Sequence, residues 1–380
     1  MKKRFFLAAA LSVCGLMGAT VGCGGGGGGS DEATPTPTPT PTASPVTTVD
    51  YTAALISPTV VTNASATGIS GNTIVGTGTP TSGLGFNVAF LWSRSGASAA
   101  LLTPSGFTNS IANAVSGSAQ VGWGTPNGSS IAHALLWNGS ANAIDLSPTS
   151  GYYASVAFGV SGTIIVGDST PNGVSVTTGN HACLWNGTAA SFTDLHPASG
   201  FIGSLARAVA DGTQVGEGYV SNTITHAMLW KGSAASAVDL HPAGFGNSQA
   251  LGVSGTTQVG VGTVSSTTHA LLWSGTAASA VDLNPPSYLA STATAASGNL
   301  QVGYAVPASG GGITHAMVWK GTAASAGDLQ TVTTGLTSGG TAITVVKSQA
   351  NAVDTDGTIV GTVTDDKNVT YAVVWTPKPK

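Results

Sequence analysis

Five runs of one type carry an imidazole: "HALLW" at His133, "HACLW" at His181, "HAMLW" at His226, "HALLW" at His269 and "HAMVW" at His315. Imidazole can ligate a metal or shuttle a proton near neutral pH. Five copies at equivalent positions of a repeat stand apart, so they do not converge on one ion. No His, Cys and carboxylate group has metal-ligand spacing. Neither a metal site nor a cofactor is expected, and each histidine reads as a half-buried group hydrogen-bonding a neighbouring loop or blade. The aspartates of a second recurring segment, "DLxP" (Asp145, Asp194, Asp239, Asp282 and Asp328), read as turn-capping or blade-linking groups.

Chemistry that does not repeat is more informative. The residue after each recurring Val-Gly pair is Thr77, Trp123, Asp168, Glu217, Val261, Tyr304 and Thr362. Trp123, Asp168, Glu217 and Tyr304 are unusual for this chain, and Glu217 is one of its two glutamates. Two carboxyl groups can hydrolyse glycosides at the right separation, bind a cation, or simply be solvated. Aromatic rings beside carboxylates and amides suit a sugar or a peptide. These four are the candidate ligand-binding residues. A second aromatic set, Phe107, Tyr152, Tyr153, Phe201, Phe245 and Tyr288, follows the "DLxP" segments; its phenylalanines read as core. "TDDKN" at 364–368 is acidic but lacks a complete calcium-loop pattern.

Composition sets what positions these groups. Only 7% of residues are charged, 42% are apolar, and 54 are glycine. That is too little charge for a disordered polyelectrolyte and enough apolar content for a core. β-branched residues between glycine turns point to an all-β chain. The net charge is −4, and three of the 11 basic residues are Lys2, Lys3 and Arg4. Without a basic patch to neutralise phosphates, nucleic acid is not an expected partner.

The first 22 residues, "MKKRFFLAAALSVCGLMGATVG", have the basic start, apolar run and small residues of a secretory signal peptide. "TVGC" resembles a bacterial lipoprotein processing site, with Thr20 where leucine is usual; the resemblance implies acylation of the Cys23 thiol. Residues 23–49 combine "GGGGGGS" with "TPTPTPTPTPTASP", a flexible and then an extended tether. Cys183 stands where other repeats place Leu, Met, Phe or Val, and reads as a small buried hydrophobe.

From residue 50 to 380 the chain repeats. Tryptophans ending an apolar run fall at 92, 137, 185, 230, 273, 319 and 375, and a Val-Gly pair precedes each. One unit of about 45 residues reads as four strands, a blade signature: "xAxAVS", a glycine turn, "xQVG", a variable loop, "HAxLW", a second glycine turn and "ASAVDLxP". Both faces of "HALLW" are mainly apolar, as a sheet covered on both sides requires. The last tryptophan, Trp375, is followed only by "TPKPK", whereas "YTAALISP" at 51–58 matches the missing fourth strand. A β-propeller of seven four-stranded blades closed by an N-terminal strand is therefore expected, with a β-solenoid as the alternative. The units resemble the HAF-type extracellular repeat of bacterial surface and secreted proteins, with Leu, Met or Cys for its Phe, and with "VAFLW" and "YAVVW" in the outer units. That resemblance implies export and a propeller-like repeat, and no established activity.

Near-uniform turns should share one face of the ring and the variable loops the other, the usual place for binding. The expected function is a non-enzymatic, lipid-anchored cell-surface or envelope propeller. It would bind carbohydrate or protein through Trp123, Asp168, Glu217 and Tyr304. The alternatives are a polysaccharide hydrolase or lyase using Asp168 and Glu217, and a passive structural surface protein. The sequence sets no oligomeric state.

Overall fold

Short β-branched and alanine-rich runs, broken by glycines, become the strands of seven four-stranded antiparallel sheets. The computed structural model describes residues 49–82, 86–96, 99–174, 179–309 and 311–379, so Cys23 and most of the tether lie outside the described residues. Blade 1 runs outward as Val61–Ser70, Thr73–Pro80, Val88–Ser93 and Ala99–Leu101. The first strands of the later blades are Phe107–Ser116, Tyr152–Ser161, Gly203–Ala210, Ser248–Ser254, Tyr288–Ser297 and Val345–Val353. Successive first strands touch one another, blade 7 touches blade 1, and the ring is complete. Its last blade is finished by Tyr51–Leu55, antiparallel to Thr370–Pro377 with Ala53 opposite Trp375. This is the expected seven-bladed β-propeller.

The repeated residues have separate physical tasks. Each first strand carries a bulge, for example between Ala66 and Gly68. The glycine of each Val-Gly pair lies opposite it, and a Cβ on Gly76 would sit 1.9 Å from the Ser65 carbonyl oxygen. Only glycine fits there. The seven recurring tryptophans are at most 1% exposed. They fill the gaps between blades: Trp137 packs on Val75 and Ala89 of the preceding blade, and Trp273 on Val215 and Ala227. In six of the seven blades a serine hydroxyl of the inner strand also reaches back one blade, as when Ser248 Oγ accepts the Ala227 N–H at 2.9 Å; for blade 1 the serine is Ser57, ahead of the inner strand. The core is thus a set of interblade seams.

The fourth strand is shorter than its sequence suggests. In blades 3 to 6 "AAS" forms a single 3-10 turn, at Ala189–Ser191, Ala234–Ser236, Ala277–Ser279 and Ala323–Ser325, and only two residues of each then join the sheet. The serine holds that turn, Ser191 Oγ donating to Thr188 O at 2.6 Å and accepting Asn186 N at 2.7 Å. Local serine-to-backbone bonding wins over strand pairing here.

Candidate functional site

The recurring histidines and aspartates form one interaction. His133, His181, His226, His269 and His315 each place Nδ1 2.7 Å from Oδ2 of Asp145, Asp194, Asp239, Asp282 and Asp328 respectively. The other aspartate oxygen caps the following turn, as Asp194 Oδ1 does for the His196 N–H at 2.7 Å. The pairing was legible in the sequence: "VAFLW" and "YAVVW" lack the histidine, and the fourth strands of the same two blades lack the aspartate. Each pair resembles the base and orienting acid of a hydrolytic triad. Among the described residues the hydroxyl within reach of an Nε2 of these five is Thr267 Oγ1, 3.5 Å from His269, and it donates to Val264 O at 2.8 Å. The pairs are half-buried fastenings between third and fourth strands. Phe107, Tyr152 and Phe201 set their rings edge-on to the histidine of their own blade. Phe107, Phe201 and Phe245 also join interblade core clusters.

The four unusual residues fall in mid-strand, away from the loops. Trp123 lies between Ile111 and Ala134 and is half-buried; Tyr304 lies between Thr292 and Ala316. They occupy matching positions of blades 2 and 6, which are not neighbours. Asp168 and Glu217 occupy the same position in adjoining blades 3 and 4, and these two do interact. They are 4% and 0% exposed, so neither belongs to an open loop face.

What joins them is Arg207, a residue that composition and spacing did not single out. It sits at the bulge of its inner strand, between Ala206 and Ala208. The bulge residue usually bonds the next blade: Thr67 donates to Ala112 O and Asn113 to Ala157 O, each at 2.7 Å, and Thr294 and Asn351 act likewise. Arg207 turns to its own blade. Its Nε donates to Glu217 Oε2 at 3.0 Å and its Nη2 to Oε1 at 2.6 Å, and the guanidinium lies 4.9 Å from the Phe158 ring centre. A bidentate pair on an aromatic face fixes the cation firmly. Asn180 Nδ2 donates to Asp168 Oδ2 while its own Oδ1 accepts from Thr170 Oγ1 at 3.0 Å.

Two carboxyl groups share one nearby cation here. Burial raises the Asp168 carboxyl from 3.8 to about 7; Arg207 and the Asn180 amide pull it down, and Glu217 pushes it up. For Arg207, burial works against the charge, but Glu217 overrides it and holds the guanidinium above its usual value. Burial, with Glu217 behind it, lifts the Tyr219 hydroxyl to about 12. The cluster therefore offers a carboxyl that gains and loses a proton near neutrality beside a fixed positive charge. Among the described residues no group of three or more His, Cys, Asp or Glu could hold a metal ion. A groove of about 230 Å³ lies at the turn end of blade 2, lined by Ser118, Leu136, Asn138, Asn142 and Ile144 among others, and it holds no ionisable group.

Comparison with known proteins adds fold relatives. No family model matches the chain, and no curated protein matches it. Two crystal structures of puromycin hydrolase share the fold with TM-scores of 0.54 and 0.52, at 11% and 12% identity over 84% and 87% of this chain. The chain spans 52% and 55% of those chains, about half their length. The β-propeller domain of the Trilobed protease from Pyrococcus furiosus, described as having an open velcro topology, matches with a TM-score of 0.52 at 8% identity, over 83% of this chain and 93% of that one. At such identity these likenesses are of fold.

The expected non-enzymatic surface propeller, binding carbohydrate or protein through an open face, is corrected on two findings. The solved neighbours that carry an activity in their names are hydrolases and a protease. The two carboxyl groups meant to present that face are buried, Glu217 paired with Arg207 and Asp168 with Asn180.

Proposed function

We propose that the chain acts in hydrolysis, on a propeller scaffold, with the cluster at the junction of blades 3 and 4 as its reactive centre. One observation carries this reading: the Asp168 carboxyl is poised at about 7 beside a clamped guanidinium. A general acid or base works best with a proton affinity near the working pH. Asp168 is the proton-exchanging group. Arg207 is the fixed cation that holds an anionic group of the substrate beside it. Glu217 spends both oxygens on Arg207. It is a positioning residue, which departs from a mechanism in which both carboxyl groups work on the substrate. The named activities of the fold neighbours support hydrolysis as the reaction class.

The same proposal places the protein outside the cytoplasm, in the cell envelope or at the surface, as an HAF-type lipoprotein. A signal peptide over 1–22, acylation of Cys23 and a tether over 23–49 would hold the ring near a membrane. The basic-apolar-small pattern ending in "TVGC" supports this, as does the repeated "HAxLW".

The test is an assay of the full chain against chromogenic peptides, esters and glycosides from pH 5 to 9. Turnover with an inflection near pH 7 is expected, falling at least about a hundredfold in Asp168→Asn, the usual share of a general acid or base. A folded chain that turns over none of these substrates overturns the proposal. So does activity that Asp168→Asn leaves intact.

A further inference from the structure

The seven bulge residues are Thr67, Asn113, Phe158, Arg207, Leu251, Thr294 and Asn351. Four of them bind the inner strand of the next blade through a side-chain donor. Phe158, Arg207 and Leu251 do not, and they occupy three successive blades. The polar stitching of the inner wall is therefore interrupted along one arc, with a cation between two partly exposed apolar side chains.

Arg207 is equipped for more than its ion pair. The contacts to Glu217 use Nε and Nη2, and Nη1 has no acceptor among the described residues. The fully buried side-chain nitrogens and oxygens without a partner among those residues are all tryptophan nitrogens, so Nη1 is not sealed from solvent. The side chain retains 28% of its surface, although Glu217 beneath it is fully buried. A guanidinium locked on one edge and open on the other presents two N–H groups to an incoming anion at little cost in side-chain ordering.

We propose that Arg207 Nη1 binds the C-terminal carboxylate of a short peptide, with Phe158 and Leu251 receiving the apolar side chains beside it. This rests on the hydrolytic reading and names its substrate class. A uronate carboxylate would present the same charge, but its ring hydroxyls need polar partners, and the bulge residues of the two adjoining blades, Phe158 and Leu251, are apolar.

The charges facing the site are Glu217 and the Tyr219 hydroxyl from the second strand of blade 4, and Asp168 from blade 3. Glu217 is engaged by Arg207 and the Tyr219 hydroxyl keeps its proton to about 12, which leaves Asp168 as the group that changes near neutrality. Its ionised form repels a bound carboxylate. Binding is strongest with Asp168 protonated and weakens as pH rises through about 7.

Calorimetric titration of the full chain with N-acetyl-alanyl-leucine, its C-terminal amide and glucuronate tests this. The acid should bind about tenfold more tightly at pH 6 than at pH 8, the ratio that one group titrating midway imposes. The amide and glucuronate should bind at least about tenfold more weakly than the acid at pH 6, as expected when an ionic contact or its apolar flanks are lost. The double variant Arg207→Leu with Glu217→Val should abolish binding while still folding, because blade 5 carries Leu251 and Val261 at the same two positions. Equal binding of acid and amide overturns the proposal, as does binding that survives in the double variant. Glucuronate binding as tight as the dipeptide's overturns the peptide assignment. Dipeptide binding without turnover of any substrate would reject the hydrolytic reading alone; turnover without carboxylate preference would reject this one alone.

Discussion

Asp168 is where single-residue chemistry and stability meet. Its carboxyl takes up a proton near 3.8 in an unfolded chain and near 7 in the folded one. The folded protein therefore binds more protons between those values. Its stability falls as pH rises from about 4 to about 7 and stays lowered above that, opposite to a salt-bridged carboxylate. A shift of this size corresponds to roughly 4 kcal/mol at most. Asp168→Asn should remove that slope and be more stable than the parent at pH 8, since Asn180 can turn its amide to suit the new partner. Urea melts of both proteins at pH 5 and pH 8 measure the difference; equal pH dependence would contradict the burial argument. Asp168 and Glu217 were visible in the sequence as oddities of a repeat. Arg207 was not, because its significance depends on a bulge, and bulges appear only once strands are paired.

At the scale of the element, the blade separates two kinds of repeated polar contact. Ser248 Oγ accepts a buried N–H across the seam between blades 4 and 5, whereas His269 bonds Asp282 within one blade at its half-exposed edge. Loss of the first leaves a buried amide unpaired. Ser248→Ala should cost about 1–3 kcal/mol. His269→Ala should cost under about 1 kcal/mol, as exposed ion pairs do. Equilibrium denaturation orders the two, and the reverse order would make the histidine pairs the main fastening. A tryptophan matters more than either: Trp273→Ala opens a seam at about 3–5 kcal/mol. Glutamines add a third device. Gln258 joins the two tight turns of its blade, donating to Thr256 O at 2.8 Å and accepting from Gly275 N at 2.7 Å. The "VG" and "HAxLW" periods made blades and turns legible. The short fourth strand was missed because "AAS" has no strand-breaking residue; only the serine's bonds to its neighbours reveal the 3-10 turn.

For the whole molecule the decisive event is closure. Tyr51–Leu55 completes blade 7, Ile56 is buried beside it, and Ser57 Oγ accepts the Ala372 N–H at 2.9 Å. Arg94 of blade 1 adds a second clasp, pairing with Asp354 and with Asp356 at 2.6 Å, so blades 1 and 7 meet through charges as well as through core. Its hydrogen bond holds the Asp356 carboxyl down at about 2. Deleting residues 24–49 should leave the melting temperature nearly unchanged, whereas deleting 24–58 should lower it substantially by opening the ring. Equal melting of the two proteins would refute closure by this strand. The sequence by itself determined the class, the number of blades and the swapped strand. Those follow from local periodicity, from glycines that only a tight turn or a bulge can use, and from a mismatch between the two ends. Tertiary structure alone decided which residues form the site. Asp168, Arg207 and Glu217 are brought together by the contact of two blades, and Tyr304 of blade 6 is kept from them by blade 5. A charged side chain reads the same in a sequence whether it faces water or a seam; desolvation and the nearest opposite charge, both set by the neighbouring blade, decide what it does.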